Sequence, residues 1–218
     1  MSVSKWGGCV VAAALMLTAV TPASASTIFE TAAYTGQDTG EYILHDADFI
    51  GAAFTLTSTT NITGIGAQFG GFPSGDIFGA IVSLSGPDAF PTGASTDLAS
   101  IALGHVLFSV PEATAIDVTA PLALTLGPGT YGVVFGSGQF GATGFAGLGW
   151  ENTPVGDPNM FRSLFSDDWE AFNDPGVRMF VEGDAVSETP LPAALPLFAT
   201  GLAGLGFVAR RRKRAIAA

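Results

Sequence analysis

Thiols and positive charge are what this sequence has least of. One cysteine, Cys9, stands among 218 residues, so the chain can form no internal disulfide and no cysteine-ligated metal centre. Lys and Arg number 8 against 19 Asp and Glu, a formal net charge of -11. Lys5 lies near the N-terminus and Arg210, Arg211, Arg212, Lys213 and Arg214 near the C-terminus, which leaves only Arg162 and Arg178 between them. Every acidic residue falls between Glu30 and Glu188, so that stretch sets two cations against 19 anions. A body this acidic is repelled by nucleic acid and by anionic lipid, and neither is expected as its partner. Histidine is scarce as well. His45 and His105 are far apart, and neither sits in an H-x-H or H-E-x-x-H pattern. No Gly-x-Ser-x-Gly nucleophile elbow occurs; Gly136-Ser137-Gly138 carries only its core and reads as a turn.

What is present begins with an export signal. "MSVSKWGGCVVAAALMLTAVTPASAS" places Lys5 ahead of an apolar core from Val10 to Val20. Pro22 then breaks the helix, and Ala23-Ser24-Ala25 is the small-x-small pattern that a signal peptidase reads. The core is short for a membrane span. Residues 1–25 are therefore expected to be removed after Ala25, and Cys9 with them. The remaining chain must then be held by packing alone in an oxidising exterior.

The other end reads "ETPLPAALPLFATGLAGLGFVARRRKR" from Glu188 to Arg214. Leu191 to Ala209 is free of charge, roughly 28 Å as a helix against a hydrocarbon core of about 30 Å. Pro192 and Pro196 fall at its outer end, where a helix's first turn tolerates proline. The basic block after it stays cytoplasmic. With the export signal, this predicts one topology: body outside, Arg-rich end inside. Such a tail serves either as a permanent single-pass anchor or as a sorting signal that is cut ahead of the helix. The sortase motif Leu-Pro-x-Thr-Gly is not met, since Thr200-Gly201 lies deep in the apolar run.

The three-part pattern of Pro190-Leu191-Pro192-Ala193, apolar run 191–209 and Arg210-Arg211-Arg212-Lys213-Arg214 resembles the C-terminal sorting domain of the PEP-CTERM family, in its VPLPA variety. Thr189 occupies the place of the leading Val. The resemblance covers the segment 188–214. It implies export across the inner membrane of a Gram-negative bacterium and a transient stay in that membrane. An exosortase then processes the tail, and the protein ends at the cell surface or in the extracellular matrix. Signal peptidase and exosortase are the implied processing partners, with exopolysaccharide as the surrounding material.

Between the two ends, residues 26–187 show the all-β signature of short apolar alternations punctuated by turn residues. Strands are predicted through Phe54 and Leu56, around Ile62 and Ile65, and from Ile77 to Ser85. Others fall in "LASIALGHVLFSV", in the two halves of "AIDVTAPLALTLGPGTYGVVFGSG", and in "GVRMFVEG". Turns are expected at Ser58 to Asn61, at Gly86-Pro87 and at Gly127-Pro128-Gly129. Seven to nine strands of this kind predict a single all-β domain, a jelly-roll-like β-sandwich. "LTLGPGTYGVVFGSG" and "GDIFGAIVSLSG" resemble the β-sandwich modules, often grouped as choice-of-anchor domains, that precede several kinds of surface anchor. No activity comes with that likeness.

Candidate chemistry in the body is sparse. "SDDWEAFNDPG" crowds Asp167, Asp168, Glu170 and Asp174 around Trp169. It reads as a solvated acidic loop or, through Asp167, Asp168 and Glu170, as a Ca²⁺ site; the spacing is not that of an EF-hand. Asn152 to Asp157 adds oxygen ligands only if the fold brings it close. Trp150 and Trp169, with Phe161, offer rings for stacking on sugars, although aromatics more often fill cores. Beyond Ca²⁺ no cofactor is expected. The reading is thus a non-enzymatic exported surface protein. An exopolysaccharide-binding module is the alternative, and a secreted hydrolase, for which no constellation is present, comes third.

Overall fold

The computed structural model describes residues 26–37, 40–112, 115–164 and 167–186. The export signal with Ala23 and Ala25, the sorting motif Pro190 to Ala193, the apolar run 191–209 and the basic block 210–214 lie outside the described residues. Among the described residues no helix is long and apolar enough to cross a membrane.

The chain is all-β. Its strands are β1 (Ser26–Glu30), β2 (Ala32–Ala33), β3 (Glu41–Leu44), β4 (Phe49–Leu56), β5 (Thr60–Ser74) and β6 (Asp76–Leu84). A 3-10 turn and the short helix α1 (Leu98–Ile101) precede β7 (Ala102–Ser109), β8 (Ile116–Leu126) and β9 (Gly129–Gly136). Then come β10 (Phe145–Gly149), β11 (Thr153–Pro154), β12 (Met160–Ser163), β13 (Glu170–Ala171) and β14 (Met179–Ala185).

The pairing is that of a long hairpin. β1 pairs β14, β4 pairs β9, β5 pairs β8 and β6 pairs β7, all antiparallel. Two more pairings, β14 with β5 and β9 with β6, fold this hairpin onto itself. Two six-stranded sheets result. One runs β1-β14-β5-β10-β3 with β8 on β5, the other β13-β12-β4-β9-β6-β7; β2 and β11 form a separate ladder. The expected turn at Gly127-Pro128 is therefore an arch from one sheet to the other. The Tyr131 hydroxyl steadies it by donating to the Gly127 carbonyl at 3.0 Å.

Between the sheets, Ile50, Phe54, Ile81, Val133 and Phe135 meet Ile62, Ile65, Phe69, Leu148 and Val181. Each such side chain contributes about 1.5–3 kcal/mol when fully buried. A second cluster lies on the opposite face of β4, β6 and β9, where Phe49, Phe78, Val82, Val134 and Phe161 are covered by Leu98, Phe90, Phe140 and Trp169. With both faces buried, β4, β6 and β9 read as near-continuous apolar runs rather than alternations. The edge strand β7 alternates in burial.

Two expectations need correction. Leu98 to Ile101 is helical, not the start of a strand, because Leu98 is drawn down as the fully buried plug of the second cluster. Thr60 and Asn61 belong to β5 rather than to the turn, since Thr60 pairs Ala185 on one side and Leu126 on the other.

The register also locates the ends. Ser26 pairs Gly183 and donates its hydroxyl to that residue's carbonyl at 3.0 Å. Val186 donates its N–H to Thr59 at 2.9 Å. Both limits of the body therefore emerge beside the arches at 57–59 and 127–128.

Candidate functional site

The acidic loop comes first, since the sequence singled it out. Glu170, in β13, accepts the Arg162 guanidinium at 2.7 Å, and that guanidinium lies 5.3 Å from the Phe172 ring centroid. Asp167 and Asp168 are exposed on the bend before it. The Asp167 backbone carbonyl accepts the Ser95 N–H at 2.8 Å, which ties this bend to the segment covering the second cluster. Among the described residues, no three His, Cys, Asp or Glu side chains gather so as to hold a metal ion. Trp169 packs inward, edge-on to Phe161 at 5.4 Å and tilted over Phe49 at 6.2 Å.

Trp150 belongs to a different cluster. Its ring meets Tyr42 edge-on at 4.9 Å, and Tyr42 in turn meets Phe172 at 4.9 Å. The structure thus does not bring Trp150 and Trp169 together. Both indole nitrogens are buried and, among the described residues, without a hydrogen-bond partner, so each ring turns its polar atom into the protein. The Tyr42 hydroxyl donates to Asp174 at 2.8 Å. Burial pushes the Tyr42 phenol up to about 12, and the hydrogen bond to Asp174 and its charge act in the same direction.

Asp174 also borders a cavity of ≈ 280 Å³ lined by Asp88, Asp157, Asn159 and Asn173. Asp157 thus does approach Asp174, whereas Asp167, Asp168 and Glu170 do not line this cavity. Asn152 has its amide engaged within the protein. It is buried, donates to Gln68 Oε1 and to the Gly176 carbonyl at 3.2 Å, and accepts the Thr35 N–H at 3.1 Å. It fastens three loops to β5.

Sequence reasoning passed over the strongest electrostatic feature, Arg178. Its side chain is 9% exposed and reaches Glu30 on β1 at 2.6 Å, Asp117 on β8 at 3.0 Å and the Ala32 carbonyl. The guanidinium also lies 4.9 Å from the Phe180 ring centroid. One planar fork thereby joins the first strand, the last strand and β8. The available signal was its isolation: one of two cations in so acidic a stretch has abundant carboxylates to pair with.

His45 Nε2 lies 2.8 Å from the nearly buried Asp48, in the loop before β4. The backbone of Asp46, in that loop, forms an isolated parallel bridge with Ser137. The Ser137 hydroxyl is buried and, among the described residues, has no hydrogen-bond partner. His105 lies on the exposed face of β7, stacked on Phe140 at 4.3 Å. Against protein-family models, curated proteins and solved structures alike, the chain has no match.

Proposed function

We propose that this chain is an exported, non-enzymatic protein of the cell surface or extracellular matrix, sorted and trimmed by an exosortase through its C-terminal tail. The observation that supports this best is where the strand ladder begins and ends. Among the described residues the ladder runs from Ser26, next to the signal-peptidase motif, and β14 ends at Ala185, just ahead of Pro190-Leu191-Pro192-Ala193. The described strand ladder is thus confined to the stretch between the two routing signals.

A jelly-roll reading of the body belongs to the same proposal. The nested pairings of β1 with β14, β4 with β9, β5 with β8 and β6 with β7, rolled over through β14–β5 and β9–β6, favour it. A non-enzymatic role is favoured by what the polar side chains do. Arg162, Arg178, Asn152 and Asp174 all fasten loops or strands.

The basic block is the place to test the routing. Replacing Arg210, Arg211, Arg212, Lys213 and Arg214 by Gln should leave full-length precursor in the inner membrane fraction. The same trimmed species at the surface as in the wild type would contradict the proposal.

A further inference from the structure

Among the described residues the most exposed large apolar side chain is Phe72, 83% exposed, on the half of β5 farthest from Thr60. Phe145, also exposed, stands opposite Ser74, two residues along β5 from Phe72. Exposed Ile43 is paired with Gly147, which is paired with Gly70. Paired residues share a face, so Ile43 overlooks a floor of glycine. Gly71, at φ +78, continues that floor. A Cβ at Gly70, Gly71 or Gly147 would fall on the carboxylate of Glu41, which lies flat across all three. Beside it, the exposed Tyr34 donates its hydroxyl to Ala115 at 2.6 Å, and the Ala115 N–H lies over Gly70.

We propose that this glycine-floored face binds the sugar rings of an uncharged polysaccharide. The electron-rich faces of Phe72 and Phe145 attract the C–H face of a pyranose. The Glu41 oxygens, at the level of the sheet, accept hydrogen bonds from ring hydroxyls, and such charge-assisted bonds are the strong kind. A second copy is a poor occupant, because it would set one strongly acidic surface and its Glu41 against another. Anionic polymers and anionic lipids are repelled for the same reason. The face sits up to about 40 Å along β5 from Thr60, the end of that strand beside which Ser26 and Val186 lie. The rings that serve are thus surface phenylalanines and not the packed tryptophans.

The test is retardation of the uncut full-length protein, in an uncharged polyoxyethylene detergent, on native gels containing dextran, hydroxyethylcellulose, galactomannan or alginate. Because the chain is uncut, the outcome does not depend on how it is sorted. Retardation by at least one of the three neutral polymers and not by alginate is expected. The double variant Phe72→Ala, Phe145→Ala should weaken it about tenfold or more with an unchanged melting temperature. Phe72→Trp should preserve it. No retardation by any neutral polymer, stronger retardation by alginate, or undiminished retardation of the double variant would each overturn the proposal. So would a sedimentation coefficient that falls in the double variant, which would mark the face as a self-association surface.

Discussion

Arg178→Met would leave Glu30 and Asp117 on one side of the sheet without their shared cation. Both carboxylates are about one-third exposed, so the cost is expected at the lower end for a broken buried pair, about 3 kcal/mol, read as a lowered urea midpoint at unchanged slope. Arg178→Lys should recover only part of this, because an ammonium cannot span both carboxylates and the Ala32 carbonyl. An unchanged midpoint in the Met variant would show that the fork is ornamental. Tyr42 gives a pH signature. Its phenol titrates near 12 in the fold and near 10 when unfolded, so the unfolded state loses its proton first. The corresponding stability is complete below pH 10 and is lost as the pH rises from 10 towards 12. Tyr42→Phe should flatten that part of the stability profile. At this scale little was legible beforehand. Trp150 and Trp169 were candidates because they are aromatic, but whether a ring stacks on sugar or on Phe161 depends on the sheet face it meets.

At the scale of elements, alternation predicted what it could. β7 and β8 are covered on one face; the sequence of β8 shows it, whereas β7 turns Leu103 and Leu107 outward and hides its alternation. β4, β6 and β9 are covered on both, so "FIGAAFTL" and "GTYGVVFG" carry no alternation to read, and the second cluster was invisible. The same concealment made Leu98 look like a strand residue. As the fully buried plug of that cluster, Leu98→Ala should cost 2–5 kcal/mol, about the loss for emptying a core leucine site. Trp169 fluorescence should shift to the red with it, since its ring covers the same cluster. A stability change below about 0.5 kcal/mol, the range of surface substitutions, would mean that the segment 85–101 only rests on the sheet. Turn residues were more candid: Gly127-Pro128-Gly129 marked a reversal correctly. That the reversal crosses between sheets depends on pairings far apart in sequence.

At the scale of the whole molecule, the chain divides by chemistry. Acid is confined to the body, basic residues to the flanks apart from two, and those two are both ion-paired within the fold. The all-β class was legible from composition and turns. That β1 and β14 lie side by side at one edge of the same sheet was not, because it follows from the β1–β14 and β14–β5 registers. On this proposal the mature molecule is the acidic β body alone, with both flanks removed. Intact mass of the protein recovered from the outer surface of its cell measures this directly. A species beginning at Ser26 and ending between Glu188 and Ala193 is predicted, and one still ending at Ala218 would contradict it.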